Sequence, residues 1–427
     1  MTLPEDFSTY TSKLFGADRW ARYEASFDAP SPVSVRLNPF KVPSVPPLQE
    51  YIDDACPWCR NAFYLRQRPD FTLDPLLHAG AYYVQEASSM FLDEVMRQLF
   101  ASHAIDADTM SCCCDLCAAP GGKSTLLRAA LPDHVTLYSN EPDRRRANIL
   151  AENMQKQGHR NVFVTNNYPA DYAASGLSFD LVLADVPCSG EGMFRKDNDT
   201  IQEWSTQNVM KCQQLQRSII ADIWSCLRPG GILIYSTCTF NTRENEENIH
   251  WIMEQYGAEP VTITTQPEWN ITPSLLPGFD APVYRFIPGI SRGEGLFMAV
   301  LRKPAASERT ASEQHTGSKR QGRNTKTGML RILSDGNPQP QEVGRKVIPN
   351  HAEALLANLP ADKYPRQELT LDDALCYLHH EAIALPPDTP RGIVIVTYRA
   401  LPIGFVKNIG NRANNLYPKE WKIRKMI

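Results

Sequence analysis

Two cysteines carry the most pointed chemistry in this chain. Cys188 stands in Asp185-Val-Pro-Cys-Ser-Gly-Glu-Gly-Met193, and Cys238 in Ser236-Thr-Cys-Thr-Phe240. Each motif follows an apolar run of strand length, 179–184 and 232–236. Neighbouring strand ends of an open α/β sheet share one crevice, so Cys188, Cys238 and Asp185 are expected to face one another. Two thiols and a carboxylate so placed suit covalent catalysis. A cytosine ring needs that chemistry. Its C5 takes a methyl group only after a thiolate adds at C6 and turns the ring into an enamine. A carboxyl group at N3 stabilises the charge that appears on addition. C5 then attacks a sulfonium methyl, a base removes the C5 proton, and the thiolate leaves.

A second motif, Cys117-Ala-Ala-Pro-Gly-Gly-Lys123, closes a short apolar strand and opens a helix. Small residues at such a turn let the backbone approach a ligand. A P-loop would need Gly where Cys117 stands, and G-x-G-x-x-G is absent, so neither an NTPase nor a standard dinucleotide fold is favoured. Glu141 ends the next strand, where an acidic side chain can accept from both hydroxyls of a ribose. A nucleoside cofactor without an essential phosphate fits both features, and S-adenosylmethionine is the candidate.

The elements that must position these residues follow from periodicity. Strands are expected over 112–117, 135–139, 161–165, 179–184, 232–236 and 296–301. Helices are expected over 123–131, 143–157, about 204–227 and 243–256. Ala147, Leu150, Ala151 and Met154 share one face of the second helix, Gly158 caps it, and Arg228-Pro-Gly-Gly231 stops the third. Strands separated by helices argue for βαβ units and a parallel sheet covered on both faces. Arg144-Arg-Arg146 reads as a solvated face, and Glu244-Asn-Glu-Glu247 as acidic residues opposing a helix dipole. Residues 1–95 form a smaller, separate unit of Pro-rich spacers and short pieces, with a strand at 34–38 and a helix at 90–100. Residues 303–328 read as a flexible basic linker. The apolar pattern returns from about 330, with a strand in 391–398. The end carries Lys407, Arg412, Lys419, Lys422, Arg424 and Lys425 around Tyr417 and Trp421, a mixture suited to phosphate contacts and base stacking.

Composition bounds the rest. A chain of 427 residues, 42% apolar and 22% charged, predicts two or three folded domains and excludes collagen, global disorder and a disulfide miniprotein. The net charge of −4 averages two halves: residues 1–302 hold 25 Lys and Arg against 36 Asp and Glu, residues 303–427 hold 19 against 12. An acidic body with a basic tail points to a polyanionic partner. There is no basic n-region, no apolar h-region and no window of about 18 apolar residues, so a cytoplasmic protein without a membrane span is expected. The eleven cysteines then read as reduced thiols. The pairs Cys56/Cys59 and Cys114/Cys117 lie too far apart for a zinc ribbon, and no metal is expected.

In these motifs the chain resembles the Sun-type (nucleolar protein/Sun) family of RNA cytosine-5 methyltransferases, in its RsmF-like bacterial ribosomal-RNA branch. Ser34-Val-Arg-Leu-Asn38, Gly80-Ala-Tyr-Tyr-Val-Gln-Glu86, Gly293-Glu-Gly-Leu-Phe-Met298 and Lys407–Lys419 extend the resemblance over most of the chain. It implies an α/β architecture: a Rossmann-like class I methyltransferase sheet with helices on both faces (96–302), a small α+β N-terminal domain (1–95) and a small PUA-like RNA-binding domain (329–427). It implies S-adenosylmethionine as cofactor and ribosomal RNA or a ribosomal subunit as partner, with a monomer expected. Cys238 would be the nucleophile on C6, Cys188 would assist product release, and Asp185 would contact N3. Cys117, Ala118, Ala119, Pro120, Gly121, Gly122, Lys123 and Glu141 would hold the cofactor, with Asp185 at its edge. The branch usually has an Asp near the adenine; here Thr165-Asn-Asn-Tyr168 stands instead, and Asn167 is the expected substitute. Gln85 and Ser88 would reach the RNA or simply pack. Rival readings are an exocyclic-amine methyltransferase, a zinc or redox protein, a non-catalytic RNA-binding or ribosome-assembly factor, and an enzyme acting on tRNA or large-subunit rRNA.

Overall fold

The computed structural model describes residues 3–42, 47–305, 330–343 and 346–425. Where composition predicts spacers, the chain opens with a helix, Glu5–Ala25, bent at Gly16, whose φ is +75°. Phe7, Phe15 and Tyr23 recur every eight residues along it and are buried against Phe194, Trp204 and Phe240. The first helix of the N-terminal region thus packs on residues at the ends of both cysteine motifs. Strands β1 (Val33–Leu37), β2 (Ile52–Ala55), β3 (Ala62–Leu65) and β4 (Tyr82–Val84) then form a small antiparallel sheet in the order β2-β3-β1-β4.

The central sheet collects β5 (Cys112–Asp115), β6 (Thr136–Asn140), β7 (Val162–Thr165), β8 (Phe179–Asp185), β9 (Leu227–Thr237), β10 (Glu259–Pro260), β11 (Val283–Phe286), β12 (Leu296–Arg302) and β13 (Ile332–Ser334). Its order is β10-β12-β9-β8-β5-β6-β7-β13, with β11 beside β12. Strands β5 to β9 run parallel. The others pair antiparallel, so the sheet is mixed where the sequence predicts a parallel one. The loop 287–295 is too short for a parallel crossover, so β11 and β12 must pair as an antiparallel hairpin. Alternation along β8 sends Leu181 and Leu183 to one face and Val182 and Ala184 to the other. Helices Phe91–Ala101, Gly122–Ala130 and Arg144–Gln157 cover the first face. Pro169–Ser175, Thr206–Trp224 and Glu246–Tyr256 cover the second. Each fully buried aliphatic side chain stabilises the stack by about 1.5–3 kcal/mol.

One boundary differs from expectation. The long helix ends at Trp224, and Arg228-Pro-Gly-Gly231 lies inside β9 instead of stopping the helix. Leu227 already pairs with Phe179, and the register shifts before Leu181 pairs with Ile232. Gly230, at φ +77°, absorbs that shift. Arg228 forms an ion pair with Asp180.

The expected linker lies, apart from residues 303–305, outside the described residues. Residues 330–334 return to the central sheet, where β13 extends its edge beside β7. A hairpin follows, β14 (Gln341–Val343) and β15 (Lys346–Ile348), and then a sheet of β16 (Arg366–Glu368), β17 (Gly392–Tyr398), β18 (Leu401–Asn408) and β19 (Ala413–Asn415). One hydrophobic core joins this sheet to the N-terminal one: Val35, Leu65 and Leu76 share it with Leu375, Val394 and Ile403. Tyr417 is only 2% exposed and meets His351, Tyr377 and Trp421 edge-on. It is therefore a core residue and not the stacking platform that its basic neighbours suggest. Among the described residues no helix is long and apolar enough to cross a membrane.

Candidate active site

The register of the parallel pair β8–β9 aligns Asp185 with Ser236, which brings both cysteine motifs to one end of the sheet. Cys188 Sγ and Cys238 Sγ lie 3.2 Å apart. The hydrogen bond to Cys238, together with burial, holds the Cys188 thiol well above its ordinary pKa, so Cys188 stays protonated. Ser236 Oγ donates to Asp185 Oδ1 at 2.6 Å, and Lys123 Nζ donates to Asp185 Oδ2 at 2.9 Å. Burial alone would lower the Lys123 pKa, but the Asp185 carboxylate outweighs it and keeps the ammonium charged. Cys188, Cys238 and Asp185 lie at one crevice as expected, and Lys123 joins them through Asp185.

Two buried carboxyl groups bind the cysteine loops to each other. Glu191 accepts from the backbone N–H groups of Phe240 (2.7 Å) and Asn241 (3.0 Å) and from Trp204 Nε1 (3.0 Å). The Gly192 N–H donates to the Cys238 carbonyl at 2.8 Å, and a Cβ on Gly192 would lie 2.8 Å from that oxygen. Glu244 accepts from Ser189 N (3.0 Å), Gln216 Nε2 (2.7 Å) and Asn241 Nδ2 (2.8 Å). Its pKa is pushed up to about 7 by burial and by the charge of Glu191. The sequence pattern reads Glu244–Glu247 as acids that oppose the dipole of a helix start. The helix in fact begins at Glu246, which is fully buried on Arg285 at 2.7 Å. The signal for Glu191 was its place inside the Pro-Cys motif; Glu244 and Asn241 had none beyond nearness to Cys238.

The glycine turn forms the second half of the site. Gly121 takes φ +116°, the left-handed conformation that favours glycine. The Arg36 guanidinium donates to Thr125 Oγ1 (2.6 Å), the Gly122 carbonyl (3.3 Å) and Gln85 Oε1 (2.9 Å). Arg36 and Gln85 therefore brace the turn from the N-terminal sheet. Ser88 is buried and donates to Glu86 Oε1 at 2.7 Å, a packing role. The Ala118 N–H donates to the Asn140 carbonyl at 2.8 Å, and burial raises the Cys117 thiol. Ser124 Oγ donates to Asp115 Oδ2 at 2.7 Å beneath the turn, and burial pushes Asp115 up to about 7.

Glu141 Oε1 accepts from Asp143 N at 3.0 Å, but its buried Oε2 has no hydrogen-bond partner; Arg146 Nη1 lies 3.5 Å away. A buried acceptor left open at a strand end, beside a turn of small residues, fits the hydroxyl donors of a nucleoside. Arg146 Nη2 also donates to the Ala119 carbonyl at 2.9 Å, so this arginine supports the turn where the sequence suggested a solvated face. Asn167 is placed otherwise than expected. Its Oδ1 accepts from Arg331 N (2.9 Å) and its Nδ2 donates to the Arg331 carbonyl (3.2 Å), so the amide clasps the strand that starts the C-terminal region.

A Rossmann-like sheet with a strand-end turn of this kind defines a methyltransferase fold. Three family models match successive stretches: the N-terminal domain of 16S rRNA methyltransferase RsmF over residues 3–87, 16S rRNA methyltransferase RsmB/F over 103–302, and the methyltransferase RsmF PUA domain over 365–423. The chain belongs to the ribosomal RNA small subunit methyltransferase F family, as its motifs imply. A relative of that name from Escherichia coli (strain SMS-3-5 / SECEC) is 30% identical over 412 residues, 85% of this chain and 84% of its own. Another, from Erwinia tasmaniensis, is 29% identical over 470 residues, 95% and 93% of the two chains. Among solved structures, PH0851 has a TM-score of 0.59 at 23% identity, over 70% of this chain and 66% of its own. NSun6 from Pyrococcus horikoshii, solved with SFG, has a TM-score of 0.58 at 19% identity, over 71% and 99%. Both share the fold.

Proposed function

We propose that this chain methylates C5 of cytosine in RNA with S-adenosylmethionine as methyl donor, through a covalent adduct between Cys238 and C6. The observation that carries the reading is the 3.2 Å contact of two thiols beside the Lys123–Asp185 pair. When bound, S-adenosylmethionine supplies an electrophilic methyl group. The turn from Cys117 to Lys123 and the open oxygen of Glu141 would hold it. Asp185, fixed by Ser236, meets N3 of the base and relays to it a proton from the Lys123 ammonium as the Cys238 thiolate adds at C6, so that no net negative charge is left on the ring. C5 takes up the methyl group and then loses its proton to a base. That electron pair restores the C5–C6 double bond and expels the Cys238 thiolate. Cys188, kept protonated, offers its S–H to the departing sulfur. The PUA-type family match supports RNA as the substrate class. The name carried by the relatives, ribosomal RNA small subunit methyltransferase F, favours small-subunit rRNA.

The test is incubation of the full chain with S-adenosylmethionine and small-subunit rRNA, free and in partly assembled subunits, with 5-methylcytosine mapped by bisulfite sequencing. New 5-methylcytosine at discrete positions supports the reading. Methyl transfer to another atom, or none to any of these RNAs, overturns it.

A further inference from the structure

We propose that the groove between the N-terminal sheet and the segment after Met193 is the track for the single-stranded RNA backbone flanking the target cytosine, with Arg68 and Lys196 as its phosphate ligands. The inference rests on the reading of the chain as an RNA methyltransferase. The groove encloses about 860 Å³ and is lined by Arg66, Arg68, Lys196 and Arg292, with Glu86 as its one acidic residue. Four cations in one groove stand out on a body where residues 1–302 carry 36 acids against 25 bases. Glu86 offers little repulsion to an anion, because its carboxylate is engaged. It accepts from Ser88 N (2.9 Å), Ser89 N (3.0 Å) and Glu294 N (2.9 Å).

The cations fall into two kinds. Arg292 lies 2.7 Å from Asp53 and stacks on Tyr64 at 3.9 Å, and Arg66 is 4.0 Å from Asp53. These two shape the wall. Arg68 and Lys196 are exposed and have no ion-pair partner among the described residues, although the Arg68 guanidinium lies over the Phe71 ring at 5.4 Å. Exposed, unpaired cations keep their full charge for a phosphate.

The groove also opens in the right place. Lys196 N donates to the Met193 carbonyl at 2.8 Å, at the end of the loop that carries Cys188. Glu86, on the groove floor, holds Glu294 N; the neighbouring Gly295 lies so close to Gly192 that a Cβ on it would come within 3.0 Å of the Gly192 Cα. Gly192 in turn donates to the Cys238 carbonyl. Gln85, the other floor residue, reaches the glycine turn at Gly122. A strand lying in this groove therefore passes along the rim of the crevice. A base must leave its stack to reach a half-buried thiol at the end of a crevice, so the ligand is single-stranded RNA, gripped by its phosphates and not by sequence.

The experiment measures binding of the full chain to a fluorescein-labelled oligocytidylate of about 15 nucleotides, by anisotropy across a range of KCl concentrations. Each lost phosphate contact on a single strand lowers the slope of log K against log salt by about 0.7. The double variant Arg68→Ala/Lys196→Ala should therefore lose about 1.4 of slope, while Lys211→Ala, an exposed cation outside the groove, should not. Both variants should bind S-adenosylmethionine as the wild type does, which shows an intact body. If the wild type methylates RNA but the double variant keeps its slope, or if Lys211→Ala loses as much, the groove assignment is overturned and the methyltransferase reading stands. If the wild type neither binds nor methylates RNA, both are overturned.

Discussion

Replacing Glu244 by Gln should give a variant that matches the wild type in stability at pH 5 and exceeds it at pH 8. Glu244 is fully buried, and its pKa of about 7 compares with an ordinary value of 4.5. The folded state therefore holds the proton more tightly than the unfolded one. Its contribution is fully present below about pH 4.5 and is lost as pH rises through the folded pKa near 7. At about 1.4 kcal/mol per pKa unit, that loss amounts to about 3 kcal/mol. A Gln at this position can keep an amide oxygen for Ser189 N and Gln216 Nε2. Its NH2 would then face Asn241 Nδ2, which donates to Glu244 in the wild type, at the expense of about 1 kcal/mol for one lost hydrogen bond. At pH 5 the unfolded carboxyl group is already mostly ionised and about 1 kcal/mol of this contribution is gone, so the variant should match the wild type there and be about 2 kcal/mol more stable at pH 8. Equilibrium urea unfolding of both proteins at pH 5, 6, 7 and 8 reads the difference, and the titration of Asp115, common to both, cancels in it. A difference that stays flat over this range would refute the argument that burial holds this carboxyl group protonated. Methylation should change little in the variant, because the Gln amide oxygen still fixes Ser189 beside Cys188.

Four further outcomes are expected. Cys188→Ala should accumulate a covalent RNA–protein adduct on a denaturing gel and Cys238→Ala should not; the reverse pattern would exchange the roles of the two thiols. Lys123→Met leaves Asp185 without its partner and should lower kcat by about 100-fold or more, a loss of roughly 3 kcal/mol in transition-state stabilisation, read by single-turnover methyl transfer. Glu141→Ala removes the open acceptor and should weaken S-adenosylmethionine binding by about 10- to 100-fold in calorimetry, with RNA affinity unchanged. Leu375→Ala, in the core shared by the N- and C-terminal sheets, should destabilise by about 2–4 kcal/mol, and thermal unfolding should report the loss from both sheets at once.

The parts of the site that chemistry demands were legible because the same residues also set the backbone. Pro-Cys and Thr-Cys each follow an apolar run, and the parallel register of β8 and β9 does the rest. Gly121 and Gly122 announce a tight turn for the same reason that they permit one. What escaped the sequence was everything decided by long-range packing. The eightfold spacing of Phe7, Phe15 and Tyr23 looks like no helical stripe until the chain turns at Gly16. Glu244 and Glu246 look like any acids near a helix start, yet one holds the loop of Cys188 and the other a buried arginine. Asn167 was read against an adenine ring, and its partner proved to be the backbone of Arg331, far along the chain.

These long-range contacts change how the C-terminal region must be tested. A basic tail after a linker invites truncation, with weaker RNA binding as the expected result. Removal of residues 330–427, however, would strip β13 from β7, release the Asn167 clasp and expose the N-terminal share of a common core. Exposing that apolar surface would itself be expected to destabilise the N-terminal sheet. That sheet supplies Arg36, which braces the glycine turn, and Arg68 lies just beyond its strand β3. A truncated chain would then lose RNA binding, cofactor binding and stability together. Only exposed charges, such as Arg412 and Lys422, separate RNA contact from architecture. Their replacement by Ala should lower RNA affinity and salt slope while leaving S-adenosylmethionine affinity and urea stability as they were, and a fall in all four would identify the region as scaffold alone.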